Sequence, residues 1–248
     1  MCSSDLMRGR DGNVHRGRPR DGYLPMLSHL GAMISVVNGM LMARRMKGNS
    51  GSVGAASIGE GATSTGAFHE ALNQAAVERL PLVLVVADNQ YAYSTPRSRQ
   101  FACDSLSERA AGYGITGHDV AGNDLFECLD VLDRAVTSAR SGGGPQLVVA
   151  RLLRLCGHGE HDDANYIDAA LKQSPLGRDC LKLAEDQLQK KGWATASEIA
   201  SWRNAAAVEI EKAIATVERE PTPDPFRETW CALATPRLRD GFANGSPT

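Results

Sequence analysis

No apolar run in this chain approaches the ~20 residues that a membrane-spanning helix needs, and its first residues contain no apolar signal core. The six cysteines, at positions 2, 103, 128, 156, 180 and 231, form no CxxC pair. That excludes a cysteine-based zinc site and a disulfide scaffold, and it predicts a reducing, cytoplasmic setting. Charge of one sign is also missing. A net charge of −2 gives no electrostatic reason to expect nucleic acid or an anionic membrane as partner. Internal repeats and low-complexity tracts are absent. The length of 248 residues allows one large α/β domain with a sizeable core.

What is present is concentrated between Ile58 and Pro96. Residues 52–58 are small and β-compatible, and Leu82 to Val86 is a continuous apolar run. Such runs fit strands covered on both faces of a parallel sheet. Between them Phe68, Ala71, Leu72, Ala75, Ala76 and Leu80 recur at helical spacing. Thr63, Ser64 and Thr65 offer side-chain oxygens to a helix start, and Pro81 is expected to stop the helix. Strand, helix, strand at this spacing predicts a right-handed parallel crossover. Glu60 follows the first strand in a Gly59-Glu60-Gly61 turn, and Asn89 follows the second, 29 positions later. Both then lie at the carboxyl edge of the sheet, where open α/β folds bind ligands.

Gly59 and Gly61 are read as permitting a tight turn and close approach of backbone to phosphate oxygens. The helix that follows offers free N–H groups and a positive dipole end to an anion. A carboxylate, an amide oxygen and a backbone carbonyl suit magnesium or calcium better than zinc. A Gly-Glu-Gly turn alone is more often a plain βα turn with a surface charge. Asn89 and Tyr91, at the end of the next strand, tip the reading toward a magnesium diphosphate site.

Gly59-Glu60-Gly61, the helix, and Asp88-Asn89-Gln90-Tyr91 together resemble the thiamine-diphosphate motif of the alpha subunits of 2-oxo acid dehydrogenases. Asp88 stands where that family has the first Asn of a pair. Glu60, where pyruvate-type members have Asp, is closer to the branched-chain type. Gly9 to His15, His29 to Met33, the Cys156 to Asp163 loop and the Glu220 to Pro225 run are similar to further family segments. The resemblance implies metal ligation by Glu60, Asn89 and the Tyr91 carbonyl. It implies thiamine diphosphate contacts from Leu30, Gly59, Glu60, Gly61, Ala62, Asn89, Tyr91 and His158. His158 is the implied catalytic residue, on a mobile loop. His15 has no role beyond lying near the cofactor, and His161 inherits none.

For each of these a plainer reading competes. Leu30 can be ordinary core, His15 a surface residue, and Asp162-Asp163 a solvated loop that caps the adjoining downstream segment.

The implied fold is a mostly parallel α/β thiamine-diphosphate-binding core over residues 7–178, a helical region over 179–235 and a tail over 236–248. Within it, helices are expected at 29–47, 107–113 and 124–140, with strands at 115–120 and 146–153. Residues 1–6 do not resemble the family and can be encoded by a sequencing-library adapter, so an N-terminally truncated fragment is expected. The implied activity is oxidative decarboxylation of a 2-oxo acid, branched-chain favoured, with acyl transfer to a lipoyl arm. The implied partners are a beta subunit, in a heterotetramer, and the lipoyl-bearing transferase. A pyruvate or acetoin dehydrogenase alpha subunit, a transketolase-like enzyme and a non-catalytic paralogue are the alternatives.

Overall fold

The computed structural model describes residues 21–49, 51–159 and 161–219. The expectations for His15 and the 9–15 segment, for Glu160, and for the Glu220 to Pro225 run lie outside the described residues. Within Leu27–Ile199, one compact unit, four parallel strands form the sheet. They are β1 (Gly54–Gly59), β2 (Leu82–Asp88), β5 (Thr116–Ala121) and β6 (Gln146–Arg151), in the order β1-β2-β6-β5. Between β2 and β5, β3 (Tyr91–Ala92) and β4 (Thr95–Pro96) make a small antiparallel ribbon. The helices are α1 (Ala32–Met46), α2 (Gly66–Val77), α3 (Arg109–Tyr113), α4 (Leu125–Ser138), α5 (Ala169–Gln173), α6 (Cys180–Lys190) and α7 (Ala196–Arg219).

β2 is central because both of its faces are apolar. Leu82, Leu84 and Val86 pack with Ile34, Val37 and Leu41 of α1 and with Phe68, Leu72 and Ala75 of α2. Val83 turns to the opposite face, against Val131 and Ala135 of α4. Each such fully buried side chain contributes roughly 1.5–3 kcal/mol. α1 comes close to the start of β1 only because residue 54 is glycine. A Cβ there would sit 2.6 Å from Val37 Cγ1.

Helix α2 starts where the hydroxyl-bearing residues predicted. Thr65 is its N-cap and accepts from the Phe68 N–H at 3.3 Å. Its end differs from expectation. The helix stops at Val77, and Leu80, fully buried, lies beyond it. The chain closes through Arg79 N–H to Ala76 O and Leu80 N–H to Ala75 O, with Arg79 in the left-handed region at φ 49°. A left-handed residue and two back-turned hydrogen bonds end the helix before Pro81 can. At the far end of α4, Gly142 at φ 91° breaks the helix, just past the 124–140 span expected from the sequence.

Register aligns the strand ends. Gly59 pairs with Ala87, and Asp88 pairs with Arg151. The segments after β1, β2 and β6 therefore leave one edge of the sheet together. No helix among the described residues is long and apolar enough to cross a membrane.

Candidate active site

Glu60 follows β1 directly and opens a 3₁₀ turn, Glu60–Ser64. Its side chain is 1% exposed. One carboxylate oxygen accepts from the Asn89 N–H at 3.3 Å, and the other from the Gln100 side-chain amide at 3.2 Å. Among the described residues no cationic side chain pairs with it. A buried carboxylate held only by neutral donors retains strong affinity for a cation. The turn itself is pinned by Thr63, whose hydroxyl donates to the Glu60 carbonyl at 2.7 Å. Arg109 donates to the Thr63 carbonyl from the start of α3, at 2.8 Å.

Asn89 stands just past β2. Its amide oxygen accepts from the Tyr91 N–H at 3.2 Å, an Asx-type turn that brings the Tyr91 carbonyl round to the same edge. Arg154 Nη1 lies 3.3 Å from that carbonyl, which keeps a second lone pair. The Glu60 carboxylate touches the Asn89 backbone, and carboxylate, amide oxygen and carbonyl, which follow two consecutive strands, are hard oxygen donors of the kind magnesium or calcium takes. Gln100 Oε1, buried and without a hydrogen-bond partner, faces the turn 3.7 Å from where a Gly61 Cβ would lie. These acceptors fit a cation at this edge. Among the described residues no group of three or more His, Cys, Asp and Glu side chains forms a metal cluster, so a cation here would rest on one carboxylate and neutral oxygens.

The two glycines of the turn are not equivalent. A Cβ on Gly61 would sit 2.7 Å from the Ala92 Cβ, so the Tyr91–Ala92 strand presses on it. Gly59 has φ −81° and nothing within 4 Å of an added Cβ. Within this chain, the need for glycine at position 59 comes from no neighbour. Ala62 is buried in the same turn.

Leu30 is 63% exposed, so it is not core. Its carbonyl lies 3.5 Å from the Thr65 hydroxyl, which brings it beside the turn. Gly31, at φ 82°, permits this close approach, since a Cβ would meet Thr65 Oγ1 at 2.9 Å.

His158 follows β6 on an exposed loop. Its ring stacks edge-on against Tyr93, centroids 5.0 Å apart. Arg154 knots this loop to the Asn89 turn. It donates to the carbonyls of Tyr91, Tyr93 and Cys156 and to the Tyr166 hydroxyl. Tyr166 Oη in turn donates to Asp162 at 2.6 Å, and the same carboxylate oxygen accepts from the His158 N–H at 2.6 Å. The Tyr166 hydroxyl, then the His158 N–H, hold the Asp162 carboxyl down to about 2. Asp162 is therefore a structural clasp, which refines the solvated-cap reading. Asp163 behaves as a local cap, accepting from the Asn165 N–H at 3.1 Å. His161 reaches the Tyr93 hydroxyl at 3.3 Å.

Sequence reasoning missed Gln100 and Arg154. Gln100 is 40 positions from Glu60 and carries no local motif. Arg154 sits four residues before His158, and its spacing was the one signal that could have drawn attention. The departure at Asp88 is also answered in the fold. Asp88 is fully buried and paired with Arg97 Nε at 3.1 Å. Its charge is compensated there, away from the Glu60 carboxylate.

A parallel sheet flanked by helices, with oxygen donors after consecutive strands beside a glycine-bearing turn, places this chain among the α/β folds with a ligand edge. The chain belongs to the dehydrogenase E1 component family, whose pattern matches residues 4–226. That family is thiamine diphosphate-dependent. The chain is 35% identical over 218 residues to the alpha subunit of an acetoin:2,6-dichlorophenolindophenol oxidoreductase of Cupriavidus necator, covering 88% of this chain and 65% of that one. It is 32% identical over 195 residues to a pyruvate dehydrogenase E1 component subunit alpha of Rhizobium meliloti, covering 78% and 56%. It is 43% identical over 140 residues to a 3-methyl-2-oxobutanoate dehydrogenase subunit alpha of Mycobacterium tuberculosis, covering 56% and 38%. The chain thus spans between about two fifths and two thirds of the length of these relatives.

Proposed function

We propose that this chain carries the metal and diphosphate half-site of a thiamine diphosphate-dependent 2-oxo acid dehydrogenase. In this reading it works with a beta subunit in a heterotetramer and passes an acyl group to a lipoyl-bearing transferase. The observation that carries the proposal is the buried Glu60 carboxylate, turned to the Asn89 N–H and lacking a cationic partner among the described residues. Glu60, the Asn89 amide oxygen and the Tyr91 carbonyl hold magnesium. The Gly59 to Ala62 turn offers backbone to the diphosphate, and Leu30 offers backbone to the aminopyrimidine. When bound, thiamine diphosphate supplies the electron sink for decarboxylation. Gln100 and the Asn89 N–H orient the Glu60 carboxylate. Arg154 sets the loop against the Tyr91 carbonyl, and His158 exchanges a proton from its ring nitrogen at the acyl-transfer step. A cytoplasmic location belongs to the same reading.

Glu60 in the turn, together with the 43% match to a branched-chain relative, favours a branched-chain 2-oxo acid. The match covering 88% of the chain, to an acetoin oxidoreductase subunit, supports acetoin as the second reading. Co-expression with the adjacent gene product, and assay of a panel of 2-oxo acids and acetoin, separates the two. The central test is calorimetry of thiamine diphosphate with magnesium on the reconstituted assembly. Glu60→Ala is expected to abolish binding, and unchanged affinity overturns the proposal. His158→Ala is expected to slow lipoyl acylation more than decarboxylation. Equal loss in both steps removes its special role.

A further inference from the structure

The amino edge of the sheet, opposite the candidate active site, carries a second concentration of charge. Four arginines from three chain segments line a cavity of about 180 Å³ there, together with Asn49 and Ser52. Arg44 and Arg45 end α1, Arg79 lies in the turn before β2, and Arg140 lies in the turn after α4. One acid offsets them. Arg45 pairs with Glu78. Arg44 donates to the Ser52 hydroxyl at 2.9 Å, and Arg79 to the Gly142 carbonyl at 3.0 Å. Among the described residues neither of these, nor Arg140, has a carboxylate partner.

Capping of helix ends explains part of this arrangement. Arg45 bonds the Glu78 carbonyl at 2.8 Å and Arg79 the Gly142 carbonyl, as basic groups near helix ends do. Arg44 and Arg140 also lie in the last turns of their helices, where a cation is favoured, but among the described residues neither bonds a helix-end carbonyl. The φ of 49° at Arg79 belongs to the helix-ending turn before Pro81. Like charges around one cavity repel, whereas an anion among them turns that repulsion into charge-assisted hydrogen bonds. Guanidinium groups match phosphate oxygens in shape, and the Asn49 amide adds a neutral donor, while the Ser52 hydroxyl is turned to Asn49 Oδ1 at 3.4 Å. The volume is several times the ~30 Å³ share of one water and below the ~300–1,000 Å³ of a drug-sized site. It suits a phosphate group.

We infer that the Arg44–Arg79–Arg140 cavity is a binding site for a phosphate group, free or as the terminal monoester of a small molecule. The site is independent of the cofactor edge, and its existence does not rest on the function proposed above. The test is calorimetry of the full chain with inorganic phosphate, at constant ionic strength balanced with chloride. Saturable binding is expected. Arg140→Gln, which loses no hydrogen bond on the unliganded surface, is expected to weaken it at least tenfold. Glu60→Gln, at the other edge of the sheet, is expected to leave it unchanged. Glycerol phosphate in place of phosphate separates the two sources: tighter binding points to a monoester, equal or weaker binding to the free ion. Absence of saturable binding, or an affinity that Arg140→Gln leaves intact, overturns the proposal. So does an affinity that Glu60→Gln removes, because the phosphate then sits at the cofactor turn.

Discussion

The turn at Glu60 and the loop at His158 leave the same edge of one sheet, yet they are held in opposite ways. Glu60 is buried at the start of a pinned 3₁₀ turn, and the next residue, Gly61, packs against Ala92. His158 is exposed, and its loop is tied mainly by one guanidinium, one phenol and one carboxylate. Binding a charged cofactor demands preorganised donors, which a packed sheet edge supplies. Meeting a substrate that arrives from outside demands reach, which an exposed loop supplies. On the proposed reading, the rigid Glu60 turn would answer the first need and the singly clasped His158 loop the second.

The sharpest break of this contrast is at the carboxylate. Glu60→Gln is expected to weaken magnesium-dependent thiamine diphosphate binding by at least ~100-fold, since a buried ligand charge is lost. His158→Gln should change the same affinity by less than about threefold. Calorimetry on the reconstituted assembly compares the two directly, and similar losses would erase the division of labour.

Next come the two glycines. Gly61→Ala forces a methyl against Ala92 and is expected to cost about 1–3 kcal/mol. Each kcal/mol corresponds to roughly 2–4 °C in melting temperature for a domain of this size. Gly59→Ala meets open space within this chain and should stay within about 0.5 kcal/mol. Thermal melts of the two variants decide whether the turn is packed as described.

Arg154→Ala tests the loop. Its bonds to Tyr91, Tyr93, Cys156 and Tyr166 vanish, while the packing of β1 and β2 does not involve it. Hydrogen exchange of residues 156–166 is expected to rise at least tenfold, with little change in β2. Equal acceleration in β2 would show that loop and sheet are one cooperative unit.

The smallest effect is in acid. The folded-state carboxyl of Asp162 titrates at about 2, below its ordinary 3.8. Its stabilisation of the loop is therefore fully present above pH ~4 and is lost as pH falls through about 2. The chemical shift of the Ala164 amide, which donates to the same carboxylate, should have its main transition below pH 4. Movement near neutral pH would mean another group holds the loop.

Particular residues show where sequence reading succeeded and where it stopped. The two strands, to within two residues of their ends at Gly59 and Asp88, the Thr65 cap and the placing of Glu60 and Asn89 just past consecutive strands were legible. Each depends on local apolar pattern or local turn chemistry. The end of α2 was misplaced at Pro81, because a left-handed Arg79 is a choice no local propensity announces. Gln100 against Glu60 and Arg154 across the Tyr91 turn were invisible, since both are contacts between segments far apart in the chain.

By itself, then, the order of residues determined the class of structure, a parallel sheet whose consecutive strands end in oxygen donors. Apolar periodicity and turn-forming residues act over a few positions, so they can be read without the fold. Only the tertiary structure decided which glycine is crowded, what neutralises Asp88, what steadies Glu60 and where four arginines converge. Those outcomes depend on how separate segments pack, and packing distances are not written in any single stretch of chain.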